Sequence, residues 1–443
     1  MSRSSDGFNF GNNSTPYNPQ FNVTNGHPLV KNTDDVLYYK KFVSIHSEDR
    51  DSLRYPNSSS FEIELPEDIT NIYSLKLIDW TFPANYNTFS EQNENVALAF
   101  KMSDPYNPNE NSVNNPLASA IFEALYLEPN ANYIFQIADG FYNPSQMAIT
   151  LTNKFNETVS DKIVSYFNKQ ITNPSSSNPP AYWEQIKHEF QSTGRYSRFK
   201  VVYNDVGQKF WFGNTADGFT IMNEVIALFN SLSNNIVCGF RAASKQFSSW
   251  GLPCNLGLSR CNVSATKGAK VVNGVEEEVV PRFYYGDVSP GDNGYWLLPS
   301  QDLSGSFVYF IETPYKINLM GPAYFYMELD GNNCIDETSP YTPNEYISAR
   351  PNTTNGIVNS AFAKLAVPST PITQWFDKNS LPYKFYNPPL DRMRKLSIRI
   401  RYHNNQLVEF GVFNFSFTLQ FTTLLPNIPR KVNRSMIPPL SES

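Results

Sequence analysis

Only four histidines occur in the 443 residues, at His27, His46, His188 and His403. A chain so poor in imidazole has few ways to move protons or hold a transition metal near neutral pH. No histidine stands in an HExxH-like arrangement, and the four cysteines (Cys238, Cys254, Cys261 and Cys334) make no CxxC pair with a histidine beside it. The segment KGAK at 267–270 is too short for a phosphate loop and has no Ser or Thr partner, and no GxSxG elbow occurs. His188 and Glu189 lie in YWEQIKHEF, expected to be a short surface helix. The close carboxylates Asp49 with Asp51, and Asp336 with Glu337, fall in turn-like segments, where binding of backbone N–H groups or solvent is expected. No catalytic residue, metal or cofactor is expected.

The composition favours strands and turns. Phe, Tyr and Trp make up 15% of the chain, charged residues only 17%, and 32 prolines punctuate it. The formal net charge of -6 does not suit a phosphate-neutralising surface, so nucleic acid is not an expected partner. No apolar run reaches the 18 residues of a membrane span. The polar start, MSRSSDGFNFGNNST, lacks the character of a signal peptide, which points to a reducing compartment and leaves the N-x-S/T triplets at Asn22, Asn57 and Asn414 without weight.

The elements that would position any functional surface divide into five stretches. Residues 1–35 read as a polar arm whose sparse anchors, Phe8, Phe10, Tyr17 and Phe21, suit docking on a neighbour. Residues 36–138 read as the first part of a β core, with strands in VLYYKKFVSIHS, FEIEL, ITNIYSLKLIDWTFP, ENVALAFKM and Tyr133–Ile137. Residues 139–236 read as an inserted α/β subdomain. In it Met147, Leu151, Phe155, Val159, Ile163 and Phe167 recur every four residues behind Pro144, a hairpin turns at NDVG, and TIMNEVIALFNSLSN follows as a helix through Met222, Val225, Ile226 and Phe229. Residues 237–425 read as loops and the second part of the β core, including a hairpin in SATKGAKVVNGVEEEVVP and strands in GSFVYFIETPYKINLMG, PAYFYMELDG and AFAKLAVPS. Residues 426–443 form a proline-rich tail carrying Arg430, Lys431 and Arg434.

The stretch DRMRKLSIRIRYHNNQLVEFGVFNFSFTLQF, from Asp391 to Phe421, reads as two successive strands joined by a turn at Asn404 and Asn405. In the first, Leu396, Ile398, Ile400 and Tyr402 face one way and Ser397, Arg399 and Arg401 the other. In the second, Phe413, Phe415, Phe417, Leu419 and Phe421 face the core. The arginine face, with Arg394, either pairs with a neighbour's carboxylates or simply covers the outside of the sheet.

SEDRDSLRYPNSSSFEIELPEDITNIYSLKLIDWTFPANYNTF, PAYFYMELDG and the Asp391–Phe421 stretch together resemble minor capsid proteins of large icosahedral double-stranded DNA viruses that infect algae or protists. The resemblance covers about 40–90, 315–335 and 385–422. It implies a mainly β, jelly-roll-like antiparallel sandwich with the α/β subdomain inserted, and no catalytic residue. It implies a structural protein on the inner side of the virion shell, assembled in the host cytoplasm. Its partners would be major capsid protein capsomers and other minor capsid proteins, with an internal viral membrane nearby but not spanned. The interface residues expected are Arg394, Arg399, Arg401, Phe8, Phe10, Tyr17, Phe21, Arg430, Lys431 and Arg434. A carbohydrate-binding β-sandwich on the particle surface, using loop tryptophans such as Trp250 and Trp296, is the alternative.

Overall fold

The structure is a computed structural model that describes residues 21–22, 30–31, 38–83, 86–111, 114–127, 132–173, 178–224, 251–281, 295–338, 359–367, 383–403 and 405–425. Of the described residues 41% are in strands and 21% in helices, and every strand pairing among them is antiparallel. The mainly β class with an α/β part is therefore as the sequence suggests.

In chain order, β1 (Phe21–Asn22) pairs with β2 (Val30–Lys31), followed by β3 (Tyr38–His46), β4 (Ser60–Thr81) and β5 (Ala97–Asp104). Helix α1 (Pro116–Tyr126), β6 (Tyr133–Gln136), α2 (Pro144–Thr172) and α3 (Pro180–Ser192) come next. Then follow β7 (Phe199–Asn204), β8 (Lys209–Asn214), β9 (Gly218–Ile221), β10 (Val263–Ser264), β11 (Thr266–Lys267), β12 (Ala269–Val272) and β13 (Val275–Glu278). The last are β14 (Tyr309–Glu312), β15 (Tyr324–Leu329), β16 (Ile335–Glu337), β17 (Asn359–Ala361), β18 (Ala363–Ala366), β19 (Tyr383–Arg401) and β20 (Ser416–Leu424).

One core surrounds α2. Asn143 caps this helix through a reciprocal capping box with Gln146, and Pro144 occupies its first turn, so the chain enters the helix where the sequence suggests. All six stripe residues from Met147 to Phe167 are fully buried. The Phe155 ring lies 4.6 Å from Phe100 and 5.1 Å from Phe135 in the sheet β10-β9-β5-β6, and 4.7 Å from Phe199 and 6.0 Å from Phe212 in the sheet β11-β14-β8-β7. One side chain thus joins both sheets.

The polar side of α2 also closes the edge of β7. Asn156 donates to the Phe199 carbonyl (3.0 Å) and accepts from its N–H (2.9 Å), and Thr152 Oγ1 accepts from the Val201 N–H (2.9 Å). An edge strand covered in this way offers no pairing site. This core takes in residues from Phe89 to Leu319, well beyond 139–236.

The sequence does not point to α1, although Asn115 before Pro116 is a sound start signal: its side chain accepts from the Ala118 N–H. Conversely, Thr220 and Ile221 belong to β9 instead of opening a helix. The expected helix positions Val225, Ile226 and Phe229 lie outside the described residues.

The second core lies on one face of a six-stranded sheet ordered β18-β15-β19-β4-β20-β3. FEIEL and ITNIYSLKLIDWT form one 22-residue strand instead of two. The strand passes Pro66 because the register with β19 slips there, from Met393↔Ile69 to Lys395↔Glu64, and β20 pairs only with the half beyond Ile72. A proline is tolerated at a bulge with no ladder partner on its other side.

The strands β19 and β20 are not neighbours, since β4 lies between them. Alternation is otherwise kept: Phe61, Leu75, Leu77, Leu396, Ile398, Ile400, Phe417, Leu419 and Phe421 are buried. Phe413 is exposed, because β20 begins only at Ser416. Phe82 covers this core, its ring 4.9 Å from Phe415 and stacked 5.5 Å from Phe410.

Candidate docking face

The other face of the six-stranded sheet carries the arginines, and the register explains what surrounds them. Toward one end, β19 lies against the first half of β4, so each outward basic residue meets a carboxylate of the same chain. Lys395 Nζ is 3.1 Å from Glu62 and 3.4 Å from Glu64, and these hydrogen bonds raise its pKa. Arg394 approaches Glu64 at 3.9 Å, and Arg392 pairs with Asp68. Arg399 pairs with Glu328 of β15 at 3.1 Å. All are exposed to solvent on their outer side, which keeps each pair weak.

Arg401 departs from the expected interface. It is fully buried and unavailable to a neighbour. Its guanidinium pairs with Glu328 through Nε and with Glu337 through Nη2, and donates to the carbonyls of Tyr402 (3.2 Å) and Ser360 (3.3 Å). Burial alone would lower its pKa, but the bonds to Glu337 and Glu328 outweigh that and raise it. Glu337, expected in a solvated turn, is itself buried in β16 and also meets His403 Nδ1 at 3.1 Å. The Tyr326 ring lies 5.1 Å from the guanidinium, and its phenol is pushed up to about 12 by burial first and Glu337 second. The signal for this burial was not in the strand's alternation. It lies in the acidic pair Asp336–Glu337 far along the chain.

The opposite end of the same face is aromatic. Register aligns Phe42, Gln420, Lys76 and Tyr383 in one row across β3, β20, β4 and β19, with Lys40, Thr422, Ser74 and Phe385 in the next. The bulge in β4 between Ser74 and Ile72 turns Tyr73 to this face. Its ring stands 5.4 Å from Tyr38 and 5.5 Å from Phe385, and Phe385 stands 4.7 Å from Tyr383. Tyr38, Phe42, Tyr383 and Phe385 are each 51–58% exposed. Scattered exposed aromatics are ordinary, but Tyr38, Tyr73, Phe385 and Tyr383 form a ring-to-ring chain from β3 through β4 to β19, with Phe42 in the same row as Tyr383, and such a set is a feature of binding surfaces. The sequence does not single it out: Tyr38, Phe42 and Tyr73 read as ordinary strand residues, and Tyr383 and Phe385 precede the Asp391–Phe421 stretch.

Phe8, Phe10, Tyr17, Arg430, Lys431 and Arg434 lie outside the described residues, and Phe21 is placed only as backbone in β1. Trp250 is also outside them, and Trp296 is buried 5.5 Å from Trp211, so it is no platform for a sugar. Cys261 and Cys334 are free thiols. Among the described residues no helix is long and apolar enough to cross a membrane.

No protein-family model matches the chain, and no curated protein matches it significantly. Solved structures similar to it include the selenomethionine-labelled mavirus penton protein, at 9% identity and a TM-score of 0.35 over 88% of this chain and all of that one. A chain of the Sputnik virophage structure determined by cryo-EM is similar at 11% identity and a TM-score of 0.30, over 88% of this chain and 98% of its own. Overlaps this loose carry no weight on what the chain does.

Proposed function

We propose that the chain is a structural, non-enzymatic minor capsid protein of a large icosahedral double-stranded DNA virus. It would stabilise the shell from the inner side by bridging major capsomers and other minor capsid proteins. The observation that carries this reading is where the three resembling segments fall. FEIELPEDITNIYSLKLIDWT is β4, PAYFYMELDG contains β15, and DRMRKLSIRIR with SFTLQF gives β19 and β20. β4 lies more than 200 residues before the other three, yet all are consecutive neighbours, β15-β19-β4-β20, in one sheet. The segments that resemble a shell protein thus form a single scaffold, which fits a jelly-roll-like unit with the α2 core as an insertion that grips a neighbour. The sheet presents an outer face with an ion-paired half and an aromatic half, suited to contact and not to turnover.

The test is the number of copies of this chain per gradient-purified particle, before and after the outer shell is stripped. A fixed multiple of a symmetry number that survives stripping is expected. A variable number, or release with soluble or surface material, would refute the placement.

A further inference from the structure

We propose that the aromatic end of the outer face binds an extended segment of a neighbouring shell protein, one carrying apolar side chains and carboxylates, along the edge strand β3. This rests on the shell reading above and adds the chemistry of the partner.

Charge is the first ground. At the other end of the face Arg392, Arg394, Lys395 and Arg399 all have carboxylates of this chain. Lys40 and Lys76 stand in the aromatic rows, and among the described residues no carboxylate pairs with either. Cations left open beside exposed rings call for an acidic partner more than a basic one.

Size is the second. Three strand spacings separate Phe42 from Tyr383, about 14 Å, and Tyr38 to Phe42 spans about 13 Å. The patch is therefore roughly 200 Å², far below the ~800 Å² per partner of a stable interface between two globular surfaces. A narrow, extended chain fits that footprint better than a second copy packed face to face.

The edge is the third. β3 is nine residues long, pairs with β20 on one side only, and borders the patch through Tyr38 and Phe42. The edge of β7 is closed by Asn156 and Thr152, whereas β3 has no such cover among the described residues. An added strand would gain backbone pairing there and side-chain contact on the patch.

Intact particles and the free full-length chain are compared by lysine acetylation and by carbodiimide coupling, which joins an amine directly to a touching carboxylate. Lys40 and Lys76 are expected to react at least tenfold more slowly in particles, with carbodiimide linking one of them to an Asp or Glu of a different protein. The pair Phe42→Ser with Tyr383→Ser, both exposed, is expected to leave the free chain's unfolding midpoint in place and cut copies per particle at least fivefold. Equal lysine reactivity at normal copy number overturns the docking proposal while the shell reading stands. Protection without a protein carboxylate link, or a link already formed within the free chain, overturns it too. Absence of the chain from particles overturns both.

Discussion

Replacing Glu337 by Gln tests the account of the buried Arg401. The substitution keeps shape and one acceptor but removes a charge that is 1% exposed beside a guanidinium that is fully enclosed. Breaking one side of a buried pair costs about 3–5 kcal/mol. Glu328 remains against Nε and the Tyr326 ring stays in place, so the lower end, about 3 kcal/mol, is expected. That is roughly a 150-fold change in the folding equilibrium, and about 6–12 °C in Tm if the sheet unfolds as a unit of ordinary size. Urea unfolding of the purified chain, followed by near-ultraviolet circular dichroism, reads it directly. Glu64→Gln, which weakens two exposed contacts, to Lys395 at 3.4 Å and to Arg394 at 3.9 Å, serves as the control and is expected to move the midpoint little. Arg401→Met combined with Glu337→Leu is expected to recover most of the loss, since Glu328 keeps Arg399. Equal, small shifts for Glu337→Gln and Glu64→Gln, or a double variant worse than the single, would refute the reasoning.

Asp217 is a second buried anchor, accepting from Tyr196 Oη (2.7 Å), Arg198 Nη1 (2.8 Å) and the Tyr106 N–H (2.8 Å). Asp217→Ala is expected to cost about 3–5 kcal/mol in the same assay, with Arg198→Ala in that background adding little. Alkali provides a third check through Tyr326. Its phenol ionises near 12 when folded and near 10 when unfolded, so this contribution is intact below pH 10 and is lost as pH rises from 10 through 12; Tyr326→Phe should flatten that limb of a stability–pH curve. Deleting residues 1–35 is expected to leave the unfolding midpoint unchanged, because among the described residues the two cores begin at Val43 and Phe89, while incorporation into particles falls. A lost midpoint would put the segment in the fold.

Local periodicity made much of this legible. The α2 stripe and the alternation of FEIEL and KLSIRI announce their buried faces, because burial on one face imposes a period of about four or of two. Pairing was not legible. Nothing local in β19 or β20 says that β4, more than 300 residues earlier, lies between them, and a two-residue turn suggested a direct hairpin. In the structure Tyr402 bonds to Gln406 and Val408 to Ile400, so the chain folds back there, but it continues through Phe410 and Phe415 into the core before β20 starts.

The same distinction explains the arginines. Alternation places Arg399 and Arg401 on one face, and both point to Glu328, yet one is exposed and the other enclosed. Parity along a strand fixes the face, while depth depends on what another part of the chain lays over it. At Arg401 that cover is the β16–β17 pair bringing Glu337 and the Ser360 carbonyl. Along Arg392 to Arg399 the neighbours are β4 and, at Arg399, β15, and their carboxylates Asp68, Glu64, Glu62 and Glu328 neutralise the row without covering it. The half of the face that lacks such carboxylates is the half that carries the rings. A surface whose charges are already satisfied has little to gain from a partner, whereas Lys40 and Lys76 beside Tyr38, Phe42, Tyr383 and Phe385 gain both pairing and burial. The division of one sheet face into a closed end and an open end therefore directs the search for a neighbour to the open end, away from the arginines that first draw the eye in the sequence.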